Sequence, residues 1–136
     1  MSSFLYDKGR NAFLEGDLAW DTDDIRCIFV DSADYTVDQN ADDFLDDIPA
    51  GARVAVSAAS LANKTSVDGI ADADDLTINS VSGDQFEALV LYLHTGAEGT
   101  SQLIAYIDDY TGLPTTPNGG NITVSWPNGS NKIFKL

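Results

Sequence analysis

The residues able to do covalent or acid–base chemistry are few and far apart. His94 is the single imidazole and Cys27 the single thiol in 136 residues, so a Ser-His-Asp arrangement has to use His94 as its proton shuttle. His94 ends a β-rich run just before a loop, where solvation or a backbone hydrogen bond is the usual fate of a histidine. Cys27 sits in an apolar run and reads as a buried, inert thiol. One Cys and one His leave neither a zinc set nor an internal disulfide. No Gly-x-Ser-x-Gly elbow, phosphate loop, dinucleotide fingerprint, His-Glu-x-x-His pair or Cys-x-x-Cys occurs. The expectation is a protein that is not an enzyme.

The carboxylates offer more. Asp68, Asp72, Asp74 and Asp75 place four of them within eight residues of an expected loop. A hard cation takes roughly six to eight oxygens, so calcium is the candidate ligand there, and no other cofactor is expected. Counted from Asp68 or Asp72, the mid-loop Gly and terminal Glu of the helical calcium loop are missing, and a solvated turn cluster is the competing reading. Asp42, Asp43, Asp46 and Asp47 read as one wet helix face, without the cleft or opposed geometry of a glycosidase pair. Trp20, Tyr35, Tyr110 and Trp126 suit either a sugar-stacking platform or the rim of a core. Asn63, Asn121 and Asn128 open Asn-x-Ser/Thr triplets, which matter only under secretory glycosylation.

Charge narrows the class of partner. Nineteen Asp and three Glu stand against seven Lys plus Arg, for a net charge of −15. Neutralising phosphates needs clustered cations, so neither nucleic acid nor an anionic membrane surface is expected as a partner. No apolar run approaches the roughly 18 residues of a spanning helix, and the first sixteen residues lack the features of a signal peptide. A soluble, unprocessed chain is the expectation. The Asp excess suits surface loops, and salt adaptation is one reading of it.

Positioning these residues falls to short elements in a single domain over residues 1–136. Residues 2–16 read as an N-terminal helical arm: Ser2 or Ser3 is its cap, Phe4, Leu5, Phe13 and Leu14 its apolar positions, and Gly16 its stop. Gly9 weakens that helix. Residues 25–30 form the first strand. Residues 40–48 suggest one or two helical turns, with Phe44, Leu45 and Ile48 inward and Pro49 as terminator. From Arg53 the period becomes two. Strands are expected at 53–57, 60–65, 76–80, 86–94, 102–108, 122–126 and 132–136. Short connections argue for antiparallel pairing. The fold class is therefore mainly β, an antiparallel sandwich or barrel of about eight strands with one or two short helices. Asn128-Gly129 predicts a two-residue turn joining the last two strands into a hairpin.

Residues 86–93 and 103–107 are apolar on both faces, which means burial on both. The second cover comes either from the chain's own helices or from another subunit, the latter implying a homodimer or homotrimer.

Three segments then carry a family resemblance. Tyr6-Asp-Lys-Gly-Arg-Asn-Ala-Phe-Leu14 opens it. Asp47-Ile-Pro-Ala-Gly-Ala-Arg-Val54 and Gly69-Ile-Ala-Asp-Ala-Asp-Asp75 form its middle. Thr111-Gly-Leu-Pro-Thr-Thr-Pro-Asn-Gly-Gly120 through Lys132-Ile-Phe-Lys-Leu136 close it. In this order the chain resembles a family of small virion structural proteins of tailed bacteriophages, the capsid decoration or cement proteins. The resemblance implies a β-rich accessory subunit on the outside of an assembled head, with the major capsid protein as partner. It also implies a place on the capsid surface, after a stay in the host cytoplasm during assembly. There is no catalytic residue to carry over. The residues expected to touch capsid or neighbouring copy are Phe4, Leu5, Phe13 and Leu14, then Ile133, Phe134 and Leu136. Packing within the chain is the competing role for both sets. A tail or head–tail connector subunit, a host-surface glycan-binding module and a small hydrolase are the other classes left open.

Overall fold

A computed structural model describes residues 3–136. Among the described residues the chain is mainly β, with ten strands in antiparallel sheets and one α-helix, and the sheets do not close into a barrel. The large sheet contains β1 (Phe4–Leu5), β2 (Ile25–Val30), β3 (Arg53–Val56), β7 (Ala88–Leu93) and β8 (Leu103–Ile107), in the order β1-β8-β7-β2-β3. Between them in sequence fall β4 (Thr65–Val67), β5 (Ile70–Asp72) and β6 (Leu76–Ile78). After β8 come β9 (Ile122–Val124) and β10 (Phe134–Lys135). These five build two small sheets, ordered β10-β5-β4 and β6-β9.

Alternation along the central strands sorts their side chains into two clusters. Cys27, Phe29, Leu89, Leu91 and Ala105 face one way and pack with Trp20, Ala71, Ile78, Val124 and Trp126, so the small sheets cover that face. Ile28, Val30, Val90, Tyr92 and Tyr106 face the other way, under Tyr6, Tyr35, Leu45, Ile48 and Ala52. Both faces are therefore covered from within the chain, but by the small sheets on one side and largely by loops and 3-10 turns on the other rather than by the helices expected. Where pairing skips from Leu91–Ala105 to Tyr92–Leu103, Ile104 is the extra residue of a bulge, and it joins the first cluster while Leu103 joins the second.

Several expected elements are corrected. Phe4 and Leu5 belong to a strand rather than a helix, because the open edge of β8 satisfies their backbone: Phe4 lies opposite Tyr106 and Leu5 opposite Ala105. The helix α1 runs Asp7–Glu15 after Tyr6, and Gly16 ends it in the left-handed conformation, its N–H on the carbonyls of Ala12 and Phe13. Ser3 is not its cap, and Ser2 lies outside the described residues. Gly9 is required by packing, since a Cβ there would stand 2.5 Å from the Leu103 carbonyl oxygen.

Residues 40–48 form only a 3-10 turn, Leu45–Asp47. Here the aspartates compete with a helix for backbone donors. Asp38 accepts from the N–H of Asn40 and Ala41, Asp42 from that of Asp38, and Asp47 from that of Asp43. Residues 60–64 are no strand either. They are held by Leu61 N–H on the Ile25 carbonyl and by Ser60 Oγ accepting from Ile25 N–H.

The C-terminal hairpin does not form. β9 pairs with β6 and β10 with β5, and neither Asn128 nor Gly129 takes a positive φ. The two-residue turn is instead Asp68-Gly69, at φ 54° and 80°, joining β4 to β5.

Candidate functional site

Cys27 is fully buried, and desolvation pushes its thiol well above the usual range. It belongs to the core. His94 is half-buried, with Nδ1 3.2 Å from the Tyr92 hydroxyl and its backbone N–H on the Asp24 carbonyl. Its ring has no serine hydroxyl as partner among the described residues. Arg26 donates two hydrogen bonds of 3.0 Å to Asp24, which hold that carboxyl below its ordinary range.

Of the four candidate calcium ligands, Asp72, Asp74 and Asp75 line one polar depression beside Ser125 and Asn128, but no three of the four carboxylates come within 4.8 Å of one another. Asp68 occupies the β4–β5 turn, while Asp72 pairs with Lys132 at 3.2 Å. Asp74 accepts from Asn63 at 2.6 Å, and Asp75 accepts from the Trp126 backbone N–H at 3.2 Å. Among the described residues, one group of three carboxylates does gather within 4.8 Å, that of Asp31, Asp34 and Asp84. Asp84 is distant in sequence, so no spacing signal could have found this group. Asp31 Oδ1 is already bound to the Ala33 N–H at 2.9 Å.

The aromatic residues considered for sugar stacking are turned inward. Trp20 and Trp126 are buried, and their indole N–H groups donate to the carbonyls of Asp72 and Asp74. Tyr35 bridges Tyr6 and Asp42 through its hydroxyl. Burial raises the pKa of both tyrosines. Tyr110 alone is partly exposed, and its hydroxyl accepts from the Ser125 N–H at 2.8 Å.

The expected contact residues divide. Leu5 is buried, and Phe4 stacks on Tyr106 with centroids 5.2 Å apart, so both serve the sheet. Phe13 and Phe134 approach to 6.3 Å, and Phe134 meets the edge of Trp20 at 5.2 Å. Ile133 is half-buried against the core, its N–H on the Ala71 carbonyl. Leu14 and Leu136 remain 84% and 55% exposed, the chain's most open apolar side chains together with Val67 and Val56 among the described residues. The two ends of the chain thus meet: α1 and β10 share the Phe13–Phe134 contact.

Beside that junction is a groove of about 450 Å³, where the β1–β8 edge of the large sheet meets residues 126–135. Phe4, Tyr110, Trp126 and Phe134 line it, together with Arg10, Lys132 and Lys135. Sequence reasoning singled out Phe4 and Phe134 but missed the three cations, whose positions 10, 132 and 135 give no local pattern. The sequence matches no protein-family model and no curated protein.

Proposed function

We propose that the chain is a non-enzymatic structural protein of a tailed-bacteriophage virion, a capsid decoration subunit that binds the outside of the assembled head and stabilises it. One observation supports this reading above the others. The opening and closing segments that carry the resemblance, 6–14 and 132–136, meet through Phe13 and Phe134, and each leaves a leucine exposed, Leu14 and Leu136. A covered core that leaves these leucines open to solvent suits a part that clamps onto something larger. Binding only the assembled lattice stabilises that state by linkage, and many copies multiply a modest affinity per site. The capsid protein is the proposed partner. A homodimer or homotrimer remains part of the proposal only as a way of engaging several sites, because the sheet needs no second copy to cover it.

Cryo-electron microscopy of virions from the source of the sequence tests the reading. The expected result is density for this fold repeated over the outer surface of the head. Confinement to the tail or the connector in a few copies replaces the reading with that of a tail or connector subunit, and absence from the particle overturns both.

A further inference from the structure

Only seven Lys and Arg serve a chain with 22 acidic residues, so where they lie is informative. Arg26 is bound to Asp24, Arg53 to Glu98 and the carbonyls of Leu45 and Ile48, and Lys64 to Ser60 and the Leu61 carbonyl. These three serve the chain itself. Three of the other four, Arg10, Lys132 and Lys135, line the groove at the β1–β8 edge, whose lining contains one carboxylate, Asp109. The Asp109 carboxylate accepts a hydrogen bond from Ser3. Arg10 is tied only loosely to Asp7, at 3.7 Å with half its side chain exposed, Lys132 is paired with Asp72 at 3.2 Å, and Lys135 makes no ion pair among the described residues. The groove is thus a locally cationic, aromatic-walled opening in a surface that otherwise repels anions.

We propose that this groove is the docking site for an acidic, extended peptide segment of the partner surface that carries an aromatic side chain. The inference rests on the decoration reading and names the chemistry of its partner. Carboxylates of such a segment meet Arg10 and Lys135, and the aromatic side chain enters between Phe4, Tyr110 and Phe134. The outer edge of β1 is already closed, since the Leu5 carbonyl accepts from the Gln39 side-chain amide, so the segment is held through its side chains rather than by pairing with β1. The strong negative field elsewhere steers an acidic partner away from every other approach, which gives orientation as well as attraction.

The test uses the full chain. The peptide acetyl-Glu-Glu-Phe-Glu-Glu-amide is titrated into isotopically labelled protein at low ionic strength, and occupancy on undecorated heads is measured in parallel. Amide shifts are expected at Phe4, Tyr110 and residues 131–135. The double variant Arg10→Glu with Lys135→Glu abolishes them and lowers head affinity about tenfold or more. Both changes lie at exposed positions, and Lys8→Glu, on α1 but outside the groove, leaves both readouts unchanged. Heads that bind the double variant as well as wild type overturn the docking site and leave the decoration reading standing. Peptide shifts in the groove without any head binding by wild type support the groove and remove the decoration reading. An absence of peptide shifts overturns the groove.

Discussion

In the large sheet β2, β7 and β8 run six, six and five residues and bury almost every side chain, whereas the strands of the two small sheets are two or three residues long and half exposed. The large sheet is stabilised by apolar area on both faces. The small sheets owe their places to individual bonds: the Asp68-Gly69 turn, the indole N–H groups on the carbonyls of Asp72 and Asp74, and the Asp72–Lys132 pair. Long strands buried on both faces specify their neighbours through area, while short strands follow whatever their loops can bond. The surface proposed for binding lies where these two regimes meet.

The contrast can be broken first at its strongest point. Phe86 stacks on Phe29 with centroids 4.3 Å apart and rings within 9° of parallel. Phe86→Ala is expected to cost about 3–5 kcal/mol, measured by denaturant unfolding. A loss below about 1 kcal/mol would show that the centre of the sheet is not where stability resides.

Gly9→Ala comes next. Helix propensity alone favours Ala by about 1 kcal/mol. The new Cβ meets the backbone of Leu103 and Ile104, which cannot swing aside, so a net loss of about 1–3 kcal/mol is expected. A stabilised variant would mean that α1 rides more loosely on β8 than the structure has it.

Gly69→Ala tests the peripheral side, since its φ of 80° costs an L-residue about 1–2 kcal/mol. Faster hydrogen exchange is expected at residues 70–71 and at Leu136, whose N–H is bound to the Gly69 carbonyl, with β7 unaffected. Equal acceleration in β7 would show that the sheets unfold as one unit.

Asp108, just past β8, carries a smaller effect of opposite sign. Its Oδ1 is buried without a hydrogen-bond donor among the described residues, and desolvation followed by the neighbouring Asp109 charge raises its pKa. An acid whose folded pKa lies above its unfolded value loses stability as pH rises through that folded value. Asp108→Asn is therefore expected to raise the melting temperature at pH 7 and to lose that advantage below about pH 3.5, near the ordinary aspartate range. A lower melting temperature at pH 7 would mean the carboxylate is paired.

Lys132→Ala, which removes the exposed partner of Asp72, is expected to change stability by less than about 1 kcal/mol. A larger loss would show that this one ion pair anchors the C-terminal segment.

The strands at 25–30, 88–93 and 103–107 could be read directly, because a run apolar on both faces has only one stable environment. The Asp-Gly pair at 68–69, whose aspartate also suits a cation, takes the turn that the sequence places equally well at Asn128-Gly129. Both dipeptides have the same local preference, and only the pairing available to the flanking strands separates them. Among the expected contact residues, Leu5 is buried against the β8 edge, whereas Phe4 pairs with that edge and still lines the groove. The cations of the groove come from opposite ends of the chain and left no trace in any local window.

Composition and alternation by themselves determined the class of fold, the doubly buried strands and the acidic surface, since each is a sum over residues that needs no knowledge of neighbours. Tertiary structure alone decided which strands pair, which face each segment covers, and where the scarce positive charge gathers. Those outcomes depend on contacts between residues about a hundred positions apart, such as Leu5 with Ala105 or Phe13 with Phe134. Their energy exists only once the chain has closed upon itself.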